Sequence, residues 1–250
     1  MFIDTHCHLS SSDYDDIDLV INENRKAGME KIIVSACDKK DFEEAFLLSE
    51  KYKDVFLTIG YHPEYVDDIV PADIAELDVL LKKEKVVGVG EIGLDYHYTK
   101  DNKEAQISLF EQQLALAEKN NLPVVIHSRD ATEDTINTLK KYKVKGVIHC
   151  FSGSLEVAEI YIKMGFKLGI GGVVTFSNSN LYKVVEKIGL PNIVLETDSP
   201  YLAPVPYRGK QNSSKYVPVI AQKIADILGL SLDEVASVTT SNACELFDLK

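Results

Sequence analysis

The placement of histidine is the strongest chemical signal in this chain. Only six histidines occur among its 250 residues, and none falls on a predicted helix surface. One histidine at a strand end is most often a hydrogen-bonded core residue, whereas several at equivalent strand ends favour a metal site. Five stand in or directly after predicted strands and the sixth follows the fourth predicted strand: His6, His8, His62, His127 and His149, and then His97.

His6 and His8 stand two residues apart in the first predicted strand. Because side chains alternate along a strand, both imidazoles are expected on one face, with Cys7 on the other. Asp4 shares the histidine face one layer deeper, where we expect it to partner an imidazole N–H. Taken alone, this pair is a weak indication, since two polar residues at a strand end are ordinary.

Glu91 ends the fourth predicted strand in the segment VVGVGEIGLDY, among valines and glycines. An unpaired carboxylate would be costly to bury there, and a cation or a base offsets that cost. A carboxylate can also bridge two cations, which an imidazole cannot. The alternative is a buried acid paired with an arginine, but the chain has only Arg25, Arg129 and Arg208.

Asp198 ends the eighth predicted strand, with Glu196 one step deeper on the same alternating face. A lone aspartate after a strand is more often a turn former or a helix cap. Here it completes a set of candidate ligands on predicted strands one, four, five, six and eight. Mixed imidazole and carboxylate ligands suit two divalent cations, and they fit Zn²⁺, Mn²⁺, Fe²⁺ or Co²⁺ better than Mg²⁺ or Ca²⁺. The set is His6, His8, Glu91, His127, His149 and Asp198.

Short apolar, β-branched segments recur between helical stretches, as buried parallel strands do. Strands that alternate with helices predict parallel βαβ units, and eight units in 250 residues are typical of an α/β chain that folds as one (β/α)8 TIM barrel over 1–250. The alternative, an open doubly wound sheet, usually has a glycine-rich loop after its first strand, where this chain has THCHLSSSD. In a barrel the carboxyl ends of the strands converge, so distant residues become neighbours. The predicted strands are 2–5, 31–36, 55–60, 86–90, 123–127, 146–149, 166–171 and 192–197.

The apolar periodicity also predicts a helix over 103–120. Asp101 and Glu104 have the spacing of a capping box at its start. The residues expected on its buried face are Ile107, Phe110, Leu114 and Ala117.

Two features stand near the carboxyl end of the chain. Ser231 and Glu234 have the spacing of a capping box for the last helix. The longest irregular stretch is 198–215, which is rich in proline, serine and tyrosine. Long loops in compact domains are often functional, so we expect this one to border the site.

Composition limits the classes of function. The formal net charge is −12, which argues against broad contact with a nucleic-acid backbone but leaves room for phosphate binding through cations. The first residues have neither a basic region nor an apolar run, and no long apolar stretch occurs elsewhere, so we expect no signal peptide and no membrane span. Four scattered cysteines without a CxxC pair are expected to be free thiols in a reducing cytoplasm. Nothing in the sequence indicates an obligatory protein partner.

Segments spread along the whole chain resemble the TatD family of metal-dependent deoxyribonucleases, within the amidohydrolase superfamily. Many amidohydrolases bridge their metals with a carbamylated lysine on strand four, whereas this chain has Glu91 there, which favours the TatD branch. The matching segments are DTHCHL (4–9), GYHPE (60–64), GEIGLDY (90–96), HSRDA (127–131), HCFSG (149–153), ETDSPYLAP (196–204) and RGKQN (208–212).

The resemblance implies a (β/α)8 barrel with two divalent cations that hydrolyse DNA phosphodiesters, often as a 3′-to-5′ exonuclease acting on single-stranded DNA or 3′ ends. It also implies that Asp198 handles the proton of the attacking water. Carried over residue by residue, the resemblance implies that His6, His8 and Asp198 bind one cation and that His127 and His149 bind the second. Glu91 would bind both cations.

Other residues are candidates for supporting roles at such a site. Arg129 and Arg208 carry guanidinium groups that match two phosphate oxygens, although each can equally be a solvated surface charge. Tyr201 can stack on an unpaired base, with loop packing as the alternative. His62 can approach the substrate or satisfy a turn, and Asp95 can hydrogen-bond a ligand histidine or cap a turn.

One segment departs from the family pattern. Family members commonly continue the RGK motif as N-E-P, whereas Asn212 is followed here by Ser213 and Ser214. Because this chain lacks the acid and the proline, the conformation of this loop does not follow from the family pattern. Neither does a substrate contact by the family's glutamate. This departure does not involve the candidate metal ligands.

Two alternative functions remain open. The same metal centre can activate water in an aminoacyl-tRNA deacylase, a lactonase or an amidase, and the ligands do not discriminate among these. A non-catalytic scaffold or binding protein with this fold is the second alternative. Such a protein should have lost at least one ligand, and none is missing here.

Overall fold

A computed structural model describes residues 1–249 of the chain. Parallel strands alternate with helices, and the strands follow one another in the sheet in the order of the chain. This confirms the predicted (β/α)8 fold and all eight predicted strands. The strands are β1 (Phe2–Cys7), β2 (Met29–Ala36), β3 (Val55–Ile59), β4 (Val86–Asp95), β5 (Val124–Arg129), β6 (Gly146–Ile148), β7 (Lys167–Ile170) and β8 (Ile193–Leu195).

Helices follow the strands, and each buries at least one apolar side chain. In the helix predicted over 103–120, Phe110, Leu114 and Ala117 are fully buried, while Ile107 is half-buried. The α-helices are α1 (Ile17–Lys26), α2 (Lys39–Lys51), α3 (Pro71–Leu80), α4 (Lys103–Asn120), α5 (Thr132–Leu139), α6 (Leu155–Lys163), α7 (Leu181–Ile188), α8 (Val217–Leu228) and α9 (Leu232–Phe247).

The two predicted capping boxes have different outcomes. Ser231 and Glu234 cap α9 as predicted, because the Ser231 hydroxyl accepts from the Glu234 N–H and the Glu234 carboxylate accepts from the Ser231 N–H. The box predicted for Asp101 and Glu104 is wrong. Asn102 precedes α4 instead, and its side-chain oxygen accepts from the side chain of Gln106 rather than from a backbone N–H.

The carboxyl ends of β4 and β8 differ from the prediction, and both differences change the setting of a candidate ligand. β4 continues to Asp95, so Glu91 lies inside the strand and not at its end. The register of β4 against β5 shifts between Val89 and Ile92, and the pairing then resumes. In contrast, β8 ends at Leu195, so Asp198 lies beyond the strand in the loop predicted over 198–215.

The described residues divide into two compact units. Unit 1 comprises 1–34 and 149–249, and unit 2 comprises 35–148. Each unit has fully buried apolar side chains, such as Ile170 in unit 1 and Ile92 in unit 2. A single domain over 1–250 therefore stays a prediction.

None of the helices formed by residues 1–249 has the length and apolar character that crossing a bilayer requires.

Candidate metal centre

Four side chains of unit 1 gather at the carboxyl end of β1. The Oδ1 atom of Asp198 lies 3.6 Å from the Nε2 atoms of both His6 and His8, and 3.9 Å from Nε2 of His149. The Nε2 atoms of His6 and His8 are 3.3 Å apart, so both side chains lie on one face as predicted. We call His6, His8, His149 and Asp198 the Asp198 cluster.

The spacing within the Asp198 cluster suits a cation. The nitrogen–oxygen separations are longer than good hydrogen bonds. Two nitrogen or oxygen ligands of a tetrahedral divalent ion, each about 2.1 Å from it, stand about 3.4 Å apart. Ligand atoms of His6, His149 and Asp198 all lie within 4.8 Å of one another. The donor types and their separations therefore fit a divalent cation.

The backbone conformation and its hydrogen bonds place Asp198 beside the three imidazoles. Asp198 has a φ of 55°, a left-handed conformation that aspartate tolerates better than most residues. Its N–H donates to the carbonyl of His6 at 3.0 Å, and its own carbonyl accepts from the N–H of Tyr201 at 2.9 Å. Burial by itself would raise the pKa of Asp198, but the neighbouring His149, His6 and His8 hold it well below its ordinary value. The carboxylate is therefore ionised at neutral pH.

Asp4 links the two chain segments that carry this cluster. One of its oxygens accepts from the backbone N–H groups of His6 at 3.2 Å and Thr197 at 3.0 Å, and the other accepts from the Thr197 hydroxyl. Burial raises the pKa of Asp4 to about 6, against the lowering effect of hydrogen bonds from Thr197 and Ser214. We predicted a contact with an imidazole, whereas Asp4 hydrogen-bonds the backbone beside the candidate ligands and the Thr197 hydroxyl.

A second group of candidate ligands lies within unit 2. Nδ1 of His127 is 2.7 Å from Oε1 of Glu91, and Nε2 of His62 is 3.8 Å from the same oxygen. The rings of His62 and His127 meet edge to face at 4.5 Å. We call His62, Glu91 and His127 the Glu91 cluster, and its ligand atoms also lie within 4.8 Å of one another.

The imidazole of His127 is held on its far side as well. Nε2 of His127 lies 3.0 Å from Oδ2 of Asp95, while Oδ1 of Asp95 accepts from the N–H of His97 at 2.8 Å. Asp95 thus fills both roles that we considered for it. The side chain of Gln106 fixes the backbone of Asp95 through two hydrogen bonds. Its Oε1 atom accepts from the N–H of Asp95, and its Nε2 atom donates to the carbonyl of Asp95.

Two carboxylates on one imidazole favour its charged form. Burial lowers the pKa of His127, but hydrogen bonds to Asp95 and Glu91 outweigh that effect and raise it to about 9. Histidine must be neutral to bind a metal. A cation in the Glu91 cluster would therefore replace the proton on Nδ1, the nitrogen that faces Glu91.

The irregularity of β4 gives the Glu91 cluster its geometry. Past the register shift, Gly93 pairs with His127 and Asp95 pairs with Arg129. Gly93 has a φ of 146°, and a Cβ atom there would overlap the carbonyl oxygen of His127. Only glycine lets the two strands approach this closely.

Comparison with known proteins identifies the chain. A family model described as TatD related DNase matches residues 3–248. The chain belongs to the TatD family. It is 42% identical over 252 residues to YabD of Bacillus subtilis, described as an uncharacterized metal-dependent hydrolase, with 99% of each chain covered. It is 35% identical to the human deoxyribonuclease TATDN3, with 98% of this chain and 94% of that protein covered.

A solved structure supports the same assignment. The crystal structure of YjjV, a TatD homologue from Escherichia coli K12, matches with a TM-score of 0.93 and 31% identity, covering 100% of this chain and 98% of that one. This TatD protein is therefore a metal-dependent hydrolase acting on ester bonds, with a (β/α)8 fold and two histidine–carboxylate clusters able to hold cations.

The candidate substrate residues have distinct settings in the TatD protein. Arg129 is exposed, with its guanidinium 5.3 Å from the ring centre of Tyr98. Arg208 is also exposed and lies 4.2 Å from the ring centre of Phe176. Tyr201 is 60% exposed, and its ring stands 6.4 Å from that of His8. Nδ1 of His62 accepts from the N–H of Glu64 at 3.2 Å, so His62 satisfies a turn, which was one of the two alternatives for it. His62 also lies among the ligand candidates of the Glu91 cluster, for which its position after β3 was the available signal, and its approach to the substrate stays a prediction.

The departure from N-E-P leaves the loop well anchored. Asn212 is fully buried, and its amide donates to the carbonyls of Thr197 and Tyr201 while its side-chain oxygen accepts from the N–H of Ser213. The Ser213 hydroxyl donates to the side-chain oxygen of Asn24 at 3.0 Å. The serines thus give this loop hydrogen bonds to its surroundings in place of the acid and the proline.

Proposed function

We propose that this TatD protein is a deoxyribonuclease that holds two divalent cations and removes nucleotides from 3′ ends of single-stranded DNA. The observation that carries the proposal is the convergence of three imidazole Nε2 atoms on one oxygen of Asp198, at 3.6, 3.6 and 3.9 Å. Further support comes from the human relative, which is called a deoxyribonuclease.

Each cluster would hold one cation. The first would be bound by His6, His8 and Asp198. The family resemblance gives His149 to the second cation, but its Nε2 atom lies 3.9 Å from Oδ1 of Asp198, and we propose that it joins the first. The second would be bound by Glu91 and His127, and Glu91 would bridge both cations, as the family resemblance implies. When bound, such cations lower the pKa of water and neutralise the charge that develops on the phosphodiester. The donor set favours Zn²⁺, Mn²⁺, Fe²⁺ or Co²⁺ over Mg²⁺.

Asp198 would accept the proton of the attacking water. Its carboxylate is ionised at neutral pH because three imidazoles surround it, and a proton acceptor must be ionised. The left-handed backbone and the hydrogen bond to His6 hold the carboxylate in one place. General-base catalysis of this kind contributes about 10²- to 10⁴-fold to a rate.

Four residues would contact the DNA. Arg129 and Arg208 would bind phosphates, since each guanidinium is exposed and already packed against an aromatic ring. Tyr201 would stack on an unpaired base beside His8, and His62 would contact the substrate or the second cation. With a net charge of −12, affinity for the DNA backbone has to come from these local groups and the cations.

The test begins with the metal content of the purified protein. The protein is then freed of metal with EDTA, and each of Zn²⁺, Mn²⁺, Fe²⁺, Co²⁺ and Mg²⁺ is restored in turn. Single-stranded DNA labelled at its 5′ end, and the same DNA labelled at its 3′ end, report the polarity of cleavage. A 3′-to-5′ exonuclease releases the 3′ label first, as a mononucleotide, and shortens the 5′-labelled strand stepwise.

Aminoacyl-tRNA esters and lactones are assayed in parallel. Turnover of these with no cleavage of DNA would replace the proposal with the deacylase or lactonase alternative. Lack of turnover on any substrate with any metal, together with tight binding of a partner, would favour the scaffold alternative. A cytoplasmic location remains our prediction, and the four free cysteines are compatible with it.

A further inference from the structure

Glu196 contacts the imidazole of His149 on the side that faces away from Asp198. Its Oε1 atom lies 3.3 Å from Nδ1 of His149 and also accepts from the backbone N–H of Cys150. The other ring nitrogen, Nε2, faces the carboxylate of Asp198 at 3.9 Å. The two nitrogens of one imidazole therefore meet two different acids, both within unit 1.

The position of Glu196 is unusually enclosed. The residue is fully buried, and its Oε2 atom is buried with no hydrogen-bond partner. A carboxylate in such surroundings is costly. The neighbouring strand makes room for it, because a Cβ atom on Gly169 would overlap the carboxylate. A glycine cradle and an incompletely satisfied carboxylate indicate a group held in place for a purpose other than packing.

We infer that Glu196 is a positioning residue for His149. The negative charge of Glu196, 3.3 Å from Nδ1, favours the imidazole proton on that nitrogen and so presents the unprotonated Nε2 atom to the Asp198 cluster. Neutral histidine carries its proton on one nitrogen only, and the hydrogen bond made by one nitrogen decides which one remains free to bind a metal. Only the last step of this inference, the gain in cation affinity, rests on the proposed metal centre.

Glu196 is not placed to bind the cation itself. It lies behind the imidazole, on the Nδ1 side, whereas the other members of the cluster converge on the Nε2 side. Asp95 stands in the same relation to His127 in unit 2, where it contacts the nitrogen that faces away from Glu91. In the sequence, Asp95 and Glu196 were considered only as neighbours of the candidate ligands Glu91 and Asp198.

The first test uses metal-free protein, so it does not depend on catalysis. Nitrogen-15 NMR of the histidine side chains, recorded above the ordinary imidazole pKa, distinguishes the two neutral forms, and the spectrum of a His149→Gln protein assigns the signals. We expect His149 to carry its proton on Nδ1 in the wild type and in Glu196→Gln, which keeps an acceptor oxygen. In Glu196→Leu the proton should move to Nε2.

Two results would overturn the inference at this stage. One is a wild-type His149 with its proton on Nε2 in the metal-free protein. The other is a folded Glu196→Leu protein in which the population of the Nδ1–H form is unchanged. Should Glu196→Leu not fold, Gly169→Ala provides the same test, because its methyl group displaces the carboxylate without removing it.

Gly171 supplies the matched control for Gly169. A Cβ atom on Gly171 would lie 3.5 Å from the carbonyl oxygen of Glu196, which is an ordinary contact. We expect Gly169→Ala to weaken the Nδ1–H preference of His149 and Gly171→Ala to leave it as in the wild type. A folded Gly169→Ala protein with the wild-type form of His149 would contradict the role of the cradle.

The second test measures Zn²⁺ affinity by competition with a chelator. Removal of a residue that orients a metal ligand typically costs about 10- to 100-fold in affinity. We expect about a 10-fold loss in Glu196→Gln, where charge is lost and shape is kept, and about a 100-fold loss in Glu196→Leu. Unchanged affinity in a folded Glu196→Leu protein would refute the positioning role. A wild-type protein that binds no divalent cation would refute the proposed function and leave the NMR result standing.

Discussion

Asp95 contacts Nε2 of His127 at 3.0 Å, on the side of the ring opposite Glu91. The buried acid contacts Nε2 of His127 and so leaves Nδ1 as the nitrogen that faces the Glu91 cluster. The contact exists because β4 continues past Glu91 and pairs with β5 up to Asp95 and Arg129. The orientation of a ligand in this TatD protein is therefore decided by strand pairing four residues beyond the proposed bridging carboxylate.

Replacement of Asp95 by asparagine should weaken cation binding at the Glu91 cluster about 10- to 100-fold. If the amide donates to Nε2 of His127, the imidazole proton must sit on Nδ1, which faces Glu91. If the amide oxygen turns to His127 instead, the NH₂ group opposes the N–H of His97. Titration of metal-free protein with Zn²⁺ in the presence of a chelator measures the change. Asp130→Asn, which removes an exposed acid near His97, is the control, and equal affinities for both variants would be incompatible with this role.

Replacement of Asp198 by asparagine should lower turnover at least about 100-fold, because the amide cannot accept the proton of water. The side-chain oxygen of asparagine can still bind a cation, so metal content is measured in the same preparation. Single-turnover cleavage of the best substrate, with metal bound, is the readout. Wild-type rates in a metal-loaded Asp198→Asn protein would exclude Asp198 as the base.

Removal of the Glu91 side chain tests the bridge. We expect a Glu91→Ala protein to retain at most one tightly bound cation per chain, because the ligand proposed to be common to both cations is gone. Elemental analysis after dialysis gives the stoichiometry. Glu64→Ala removes an exposed acid that faces His62 in the same unit and should keep the wild-type count. Two tightly held cations in Glu91→Ala would show that Glu91 is not needed for either.

Asn212 should be a large contributor to stability. An alanine there leaves the buried carbonyl of Thr197 and the part-buried carbonyl of Tyr201 without their donor, and a buried unsatisfied group costs about 1–3 kcal/mol. We expect the free energy of unfolding to fall by about 2–4 kcal/mol in denaturant titrations. The exposed neighbour Gln211 donates to the carbonyl of Asp13, and its replacement by alanine should cost less, about 1 kcal/mol or below. Similar losses for the two variants would mean that the loop is not anchored by Asn212.

Asp78 should contribute a pH-dependent stabilisation. Hydrogen bonds from Lys119 and Asn120 lower its pKa from 3.8 to about 2. A folded-state pKa below the unfolded value means that the contribution is complete above the unfolded pKa and disappears as the pH falls through about 2. After allowance for solvent screening we expect about 1 kcal/mol near neutral pH.

Asp78→Asn isolates that contribution. The free energy of unfolding is measured for both proteins over the acid range, and the gap between them should narrow as the pH falls. A constant gap would mean that the difference between the proteins is not electrostatic.

The sequence by itself determined the features that depend on local pattern. Alternation along β1 places His6 and His8 on one face, and apolar runs between helical segments define eight strands, because side-chain periodicity is a property of a few consecutive residues. The residue types also limited the chemistry, since several imidazoles and acids at equivalent strand ends favour a metal site more than any one of them alone. Six of the seven side chains in the two clusters were candidate ligands from the sequence, and the seventh, His62, was expected as a substrate contact.

Only the tertiary structure decided which acid meets which nitrogen. Asp95 reaches His127 because of the register between β4 and β5, and Glu196 reaches His149 because Gly169 leaves space for it. Such contacts join residues 32 to 47 positions apart in the chain. They depend on strand register, glycine cradles and backbone hydrogen bonds, none of which leaves a periodic signal in the residues themselves.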